Sequence, residues 1–307
     1  MKSISSDRRI ETARVAILDH GRLRVATEFV PLLRTNGLDT FDRIMTAAGG
    51  RMMRSVPGRS TVRIELESPG GGKAVAFLKR YTPQYLSTRG RWLRRIHWPG
   101  ARDEALHEWR AMEQLRAHGF HTAAPIAFGQ ARSNGIVTRS FLLTAEIVGG
   151  VAAHHQLPTL EAKARRELLL AIAALTRRFH GAGFAHKDYY LSHIFVVPLE
   201  PLTTIHREPS SGPRLHFIDL QRLVRPRLLA ERWVVKDLAA LGYSAQLAGA
   251  TEEDLREFLE RSVGHEVLTA RGRRLLGRVR TRIRALQRRK PKYDVIWDQP
   301  GAHPHNV

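Results

Sequence analysis

The sequence predicts an α+β fold in two lobes, an antiparallel sheet with one helix followed by a mainly helical half, on three observations. Val62, Ile64 and Leu66 alternate with Thr61, Arg63 and Glu65, the period of a half-buried strand. Leu168, Ile172, Leu175 and Phe179 recur at helical spacing in the second half. Between that helix and a short strand-like run, Ile194–Val196, lies a polar loop with a histidine and an aspartate two residues apart, His186 and Asp188.

Composition bounds what such a fold can do. The 307 residues, 43% of them hydrophobic, suffice for one large domain or two lobes. A net charge of +21 and an isoelectric point near 11.3 imply a polyanionic partner: nucleic acid, an anionic membrane surface, or a phosphorylated or carboxylated substrate. Cysteine is absent, which excludes disulfides and thiolate chemistry and agrees with a reducing cytosol. No apolar run approaches the roughly 18 to 20 residues that span a bilayer, and Met1–His20 carries too many charges for a signal peptide. Any membrane contact is therefore expected to be peripheral.

Residues 1–50 read as an extension or helical cap without chemistry. Residues 51–148 read as a first lobe and 149–307 as a second. Val56-Pro57-Gly58-Arg59-Ser60 bends the chain into the strand that begins at Thr61, and one glycine there falls far short of a full G-x-G-x-x-G phosphate loop. Pro69-Gly70-Gly71-Gly72 turns into a second strand, Ala74–Lys79. A lysine closing an apolar strand ordinarily marks where the strand meets water. Here a helix follows from Asp103 through Ala117, with Leu106, Trp109, Met112 and Leu115 on its apolar face and Glu104 and Glu108 on one flank. Either acid could pair with Lys79, and Glu108 is taken as the partner.

Thr88–Trp98 interleaves arginines with two tryptophans, which suits a membrane interface or a packed loop equally. Ser140–Glu146 reads as a buried strand, and Gly149-Gly150 as the turn between lobes, so an adenine would lie against the backbone around Glu146. Thr159 is the expected N-cap of the long helix, which Gly181 and Gly183 close. Pro198–Pro213 reads as an exposed insertion. Asp237-Leu238-Ala239-Ala240-Leu241-Gly242 reads either as a helix-terminal acid or as the helix that anchors a kinase catalytic loop through its aspartate. Arg271–Lys290 holds ten basic residues and no acid, a helix that either packs its apolar stripe or lies on anionic lipid or nucleic acid.

Taken together, His186-Lys187-Asp188 through His193 before a strand follows the H-x-D-x-x-x-x-N layout of a kinase catalytic loop, with histidine at the last place. A second aspartate, Asp219, ends the apolar run Phe217-Ile218. Phosphoryl transfer needs positioning and charge neutralisation more than covalent help. Lys79 would meet the nucleotide's α and β phosphates, Glu108 would hold Lys79, Asp188 would take the acceptor's proton, and Asp219 would bind Mg²⁺ through hard oxygens. His193 is a second candidate ligand, although imidazole suits Mg²⁺ less well than an amide oxygen. His186 reads as a structural brace.

Arg54–Leu66, Lys79, Glu108-Trp109-Arg110-Ala111, His186–His193, Ile218–Arg222 and Lys236-Asp237-Leu238 together resemble the lipopolysaccharide kinases that phosphorylate Kdo or heptose sugars of the inner core. Histidine at the last catalytic-loop place is similar to that family rather than to ordinary protein kinases. The resemblance implies a protein-kinase-like fold, ATP and Mg²⁺ as cofactors, a core sugar or lipid-linked saccharide as acceptor, and a peripheral place on the inner face of a bacterial cytoplasmic membrane. It names no partner protein. Competing readings are a small-molecule or protein kinase of the same fold and a pseudokinase scaffold. Nucleic-acid binding finds no recognition helix or RNA-binding aromatic motif to support it.

Overall fold

The computed structural model describes residues 14–82, 103–197, 213–226 and 230–288. The tryptophan-containing stretch Thr88–Trp98, the insertion as far as residue 212, and Arg289 and Lys290 lie outside them. The chain forms two compact units, Met1–Thr159 with Leu191–Arg225, and Leu160–Tyr190 with Pro226–Val307. By compactness, residues 191–225 thus group with the first unit, whereas the sequence reading set them in the second lobe.

The first unit is built on a seven-stranded antiparallel sheet in the order β1-β2-β7-β8-β5-β4-β3. Its strands are β1 (Val15–Leu18), β2 (Leu23–Ala26), β3 (Arg51–Val56), β4 (Arg59–Glu67), β5 (Lys73–Tyr81), β7 (Pro125–Ser133) and β8 (Ile136–Ala145). Val62, Ile64 and Leu66 of β4 are buried and Glu65 is exposed, as the alternation demands. Lys79 does not end its strand: β5 continues to Tyr81, and Lys79 pairs in register with Thr61 on one side and Leu142 on the other. β1 and β2 bring the residues expected to form an extension into the sheet itself.

Two short helices, α1 (Val30–Thr35) and α2 (Phe41–Thr46), bury Leu33, Phe41 and Ile44 against the sheet beside Ile64, Leu78 and Phe141. Phe41 and Phe141 rings lie 5.7 Å apart. Gly129 admits this contact, since a Cβ there would stand 2.4 Å from Phe141 Cε1 and 2.9 Å from Phe41 Cδ2.

The helix expected after β5 is α3, Glu104–Ala117, capped by Asp103, whose carboxylate accepts from Ala105 N and Leu106 N. Its buried face is Ala105, Glu108, Trp109, Ala111, Met112 and Leu115. Leu106 is only partly buried, because the stripe is rotated toward the acid that enters the interior. A second sheet, β6 (His121–Thr122), β11 (Arg214–Phe217), β10 (Ile194–Val197) and β9 (Val151–Ala152), carries the loop ends. A short helix, α4 (Ala153–Gln156), follows β9.

The second unit is helical. α5 (Ala162–Gly181) buries Leu168, Ile172, Leu175 and Phe179. Thr159 is not its cap: Thr159 sits in a 3₁₀ turn, its hydroxyl donating to Gln156 O, and Glu161 occupies the N-cap position. Pro158 keeps α4 from continuing as an α-helix through that turn, because it lacks the N–H that would bond back to His154 O. α6 (Ala230–Leu247), α7 (Glu252–Val263) and α8 (Ala270–Gln287) complete the unit. α8 buries Leu275, Leu276, Val279 and Ile283, and a Cβ on Gly242 of α6 would meet Ile283 Cδ1 at 2.8 Å. The apolar stripe of the basic helix is therefore packed on protein. No helix among the described residues is long and apolar enough to cross a membrane.

Candidate active site

Lys79, Glu108, Asp219 and His193 converge in the first unit. β5 presents Lys79 inward, and its Nζ lies 2.6 Å from Glu108 Oε1. Glu108 is fully buried and Glu104 exposed, so the helix itself selects between the two acids. Tyr81 Oη donates to the other oxygen, Glu108 Oε2, at 3.3 Å. A buried carboxylate without partners would cost several kcal/mol, on the order of a lost charged pair; two donors supply what water has surrendered. Burial pulls the Lys79 ammonium down, but Glu108 and then Asp219 outweigh it and hold its pKa above the ordinary lysine value. Burial first, and the Glu108 charge second, push the Tyr81 phenol well up, so it remains a donor.

Asp219 follows β11 in the left-handed region, φ 54° and ψ 56°. That conformation is tolerated by aspartate more readily than by branched residues, and it turns the side chain away from the line of the strand. Oδ1 accepts from Gln221 Nε2 at 2.8 Å and lies 3.6 Å from Lys79 Nζ. Oδ2 lies 3.8 Å from His193 Nε2. The side chain keeps 25% of its exposure, against 15% for Lys79.

Arg59, at the start of β4, joins this cluster. Its Nη1 donates to Gln221 Oε1 at 2.9 Å and its Nη2 lies 3.8 Å from Asp219 Oδ1. The guanidinium also stands 5.6 Å from the Tyr81 ring centroid. Arg59 Nε is buried and has no hydrogen-bond partner among the described residues. A buried N–H gains from an acceptor, and the described residues offer this one none. Sequence reasoning missed Arg59 and Gln221 as site residues, although both stand inside the motifs quoted above.

Two expected residues stand apart from these contacts. Gly58 adopts φ +79° in the β3–β4 turn, and its carbonyl accepts from Thr82 N at 2.8 Å, which fixes the turn beside Arg59. Glu146 donates its backbone N–H to Val75 O at 3.0 Å, and its carboxylate lies 4.0 Å from Arg63 Nε. The side chain lines a different cavity, described below, and makes no hydrogen bond to Lys79 or Asp219 among the described residues.

Asp188 belongs to the second unit, on a loop braced from below. Asp237, the eighth residue of α6 and fully buried, accepts from His186 N and Lys187 N, each at 2.8 Å. The helix-terminal reading of Asp237 is thereby replaced by the loop-anchoring one. His180 Nε2 lies 3.3 Å from the same carboxylate, and Lys236 Nζ donates to Lys187 O. Lys187 itself has φ +67° and lays its ammonium 4.7 Å from the Trp233 ring centroid. His186 is buried and stacks on Tyr189 at 5.4 Å, consistent with a brace. Tyr189 Oη donates to Thr176 Oγ1 at 3.1 Å, because the threonine proton is committed to Ile172 O. Burial drives the Tyr189 phenol far above its ordinary range.

Among the described residues no group of three or more His, Asp and Glu gathers as a metal cage. The donor chemistry nonetheless suits a nucleotide-borne Mg²⁺, which takes one or two carboxylates and completes its shell with phosphate and water oxygens. Asp219 offers a partly exposed hard oxygen, with the cations of Lys79 and Arg59 3.6 and 3.8 Å from its Oδ1.

Comparison with known proteins places the chain in a family. Residues 50–261 match the model of the lipopolysaccharide kinase (Kdo/WaaP) family. The lipopolysaccharide core heptose(I) kinase WaaP of Escherichia coli is 28% identical over 233 residues, 73% of this chain and 81% of that protein. The protein of the same description from Pseudomonas aeruginosa is 29% identical over 232 residues, 73% of this chain and 80% of its own. Among solved structures, WaaP in complex with acyl carrier protein superposes with a TM-score of 0.62 at 25% identity, covering 89% of this chain and 99% of that one. With residues 50–261 matched, more than half its length, the chain belongs to the lipopolysaccharide kinase (Kdo/WaaP) family.

Proposed function

We propose that this protein transfers the γ-phosphate of ATP to a sugar hydroxyl of the lipopolysaccharide inner core. The observation that carries the proposal is the cluster in which one half-buried lysine is held 2.6 Å from Glu108 and 3.6 Å from Asp219. An ammonium fixed in this way meets phosphate oxygens without having to reorganise. In this reading Lys79 and Arg59 bind the nucleotide's phosphates, Glu108 and Tyr81 hold Lys79, and the Gly58 turn covers the phosphates. The backbone near Glu146 takes the adenine. Asp219 would hold Mg²⁺, with His193 as the weaker second ligand, and the metal would supply charge neutralisation between the phosphates. Asp188 orients the acceptor hydroxyl and takes its proton as the acceptor oxygen bonds to the γ-phosphorus and the bond to ADP breaks. Residues 51–148 and 149–307 would act as the two lobes.

Heptose is the acceptor favoured by the names of the relatives, with Kdo the alternative. The charge of +21 suits a substrate rich in phosphate and carboxylate, and a place against the anionic inner face of the cytoplasmic membrane. The structural neighbour was solved with an acyl carrier protein, and a partner of that kind belongs to the proposal as well.

The test is phosphate transfer from radiolabelled ATP to purified core acceptors bearing heptose or Kdo, with aminoglycosides and a basic protein as other acceptors. Label on a core sugar with wild type, and none with Asp188→Ala or Asp219→Ala at unchanged thermal stability, supports the proposal. Mg·ATP binding without transfer to any acceptor would instead mark a scaffold, and transfer to the other acceptors alone a different kinase.

A further inference from the structure

A second cavity, of about 400 Å³, opens in the first unit away from the Lys79 cluster. Its polar wall is Arg116, from the last turn of α3, with Arg214 and His216 of β11 and His121 of β6. His121 and His216 face each other across the parallel pairing of β6 and β11, their rings 5.2 Å apart. His216 Nδ1 donates to Thr122 O at 3.3 Å, which fixes that ring with Nε2 directed elsewhere. Neither Arg116 nor Arg214 has a carboxylate partner among the described residues. The one acid on the wall, Glu146, is instead placed 4.0 Å from Arg63.

Arg116 is half-buried and Arg214 exposed on this concave wall, so both guanidiniums are open to an incoming anion. Their field also reaches His216, whose pKa is lowered first by burial and further by Arg214 and Arg116. The apolar part of the lining is buried Phe120, half-buried Ala124, Ile147 and Val197, and exposed Val148. A guanidinium fork matches phosphate geometry, and an apolar floor suits a compact carbon body. We infer that this cavity binds a small phosphate monoester, its phosphate on Arg116 and Arg214 and its body on Phe120 and Val197. The site stands apart from the Lys79, Glu108 and Asp219 cluster, although Glu146, near which the proposed function sets the adenine, lies on its wall.

Isothermal titration of the full chain with phenyl phosphate at low ionic strength tests this. Saturable one-to-one binding is expected for wild type and for Lys79→Ala. In Arg116→Gln/Arg214→Gln the affinity should fall at least about tenfold, since each lost charge-assisted hydrogen bond is worth roughly that factor. Phenol, which lacks the phosphate, should not bind. Val148→Glu supplies a second variant at a position that is 81% exposed, where a carboxylate would compete for the guanidiniums without disturbing the core. It should abolish binding too. The inference is overturned if wild type shows no saturable binding, or if phenol binds as well as phenyl phosphate. It is overturned equally if both cavity variants bind like wild type, or if binding is lost in Lys79→Ala and kept in the cavity variants.

Discussion

Glu108 shows what a single buried carboxylate decides. It is fully buried and bonded by Lys79 and Tyr81, whereas Glu104, one turn earlier on the same helix, is in solvent. Replacing Glu108 by glutamine leaves Lys79 with Asp219 alone, and the ammonium then swings toward that acid. We expect nucleotide affinity and turnover both to fall, by at least tenfold, because a hydrogen bond between charged groups is worth about 1.5–3 kcal/mol. Tyr81→Phe removes one neutral donor and should cost about 1 kcal/mol of stability, with a smaller loss of turnover; a thermal melt and an ATP-hydrolysis or transfer assay read both. In the sequence Lys79 and Asp219 stand out because each closes an apolar run, and Asp188 because it lies two residues after His186 and before a strand. Arg59 and Gln221 do not, because their roles arise from a contact between residues 162 positions apart. No local pattern announces such a pairing.

Elements were legible where one period dominates. β4, β5, α3 and α5 fell close to their expected places, since burial alternates or recurs cleanly along each. Their ends were less legible: β5 runs past Lys79, and α5 starts after Thr159 because a proline-held turn precedes it. Asp237 was ambiguous until helix α6 was seen to begin seven residues before it. Asp237→Ala leaves the amides of His186 and Lys187 unpaired in the interior, at roughly 1–3 kcal/mol each. The expected result is a lower melting temperature and a catalytic loop that exchanges its amide protons faster. α7 offers a pH test. Burial raises Asp254, but bonds from Thr251 N and the Thr251 hydroxyl region, and the Arg165 guanidinium at 3.0 Å, overcome it and hold the pKa below the usual 3.8. A depressed acid stabilises the fold above its unfolded pKa, and the contribution is lost as pH falls through the folded value. Stability should therefore drop below about pH 4, and Asp254→Ala should remove that part of the drop while costing about 1 kcal/mol at neutral pH. Melting curves between pH 3 and 7 compare the two.

Across the whole molecule the excess of positive charge has a visible concentration. α8 buries its apolar stripe, which removes insertion into lipid as its mode of contact and leaves Arg274, Arg280, Arg282 and Arg284 exposed. Membrane association, if it uses this face, is electrostatic. It should weaken steeply with salt and with the removal of anionic lipid, and Arg280→Ala/Arg284→Ala should lower vesicle binding several-fold, at roughly 1 kcal/mol per basic residue near the surface. Sedimentation with anionic and neutral vesicles checks this. The charge itself was plain in the sequence, but which side of the helix bears it became clear only from its packing on α6. Central to the whole account is that the Lys79, Glu108 and Asp219 cluster serves phosphate transfer to a core sugar. Mass spectrometry of core oligosaccharide from bacteria that carry the wild-type chain or Asp219→Ala tests it most directly. One additional phosphate on a heptose or Kdo residue with wild type, absent with the variant, is the expected result; identical spectra from both strains, with the protein present and folded in each, would contradict it.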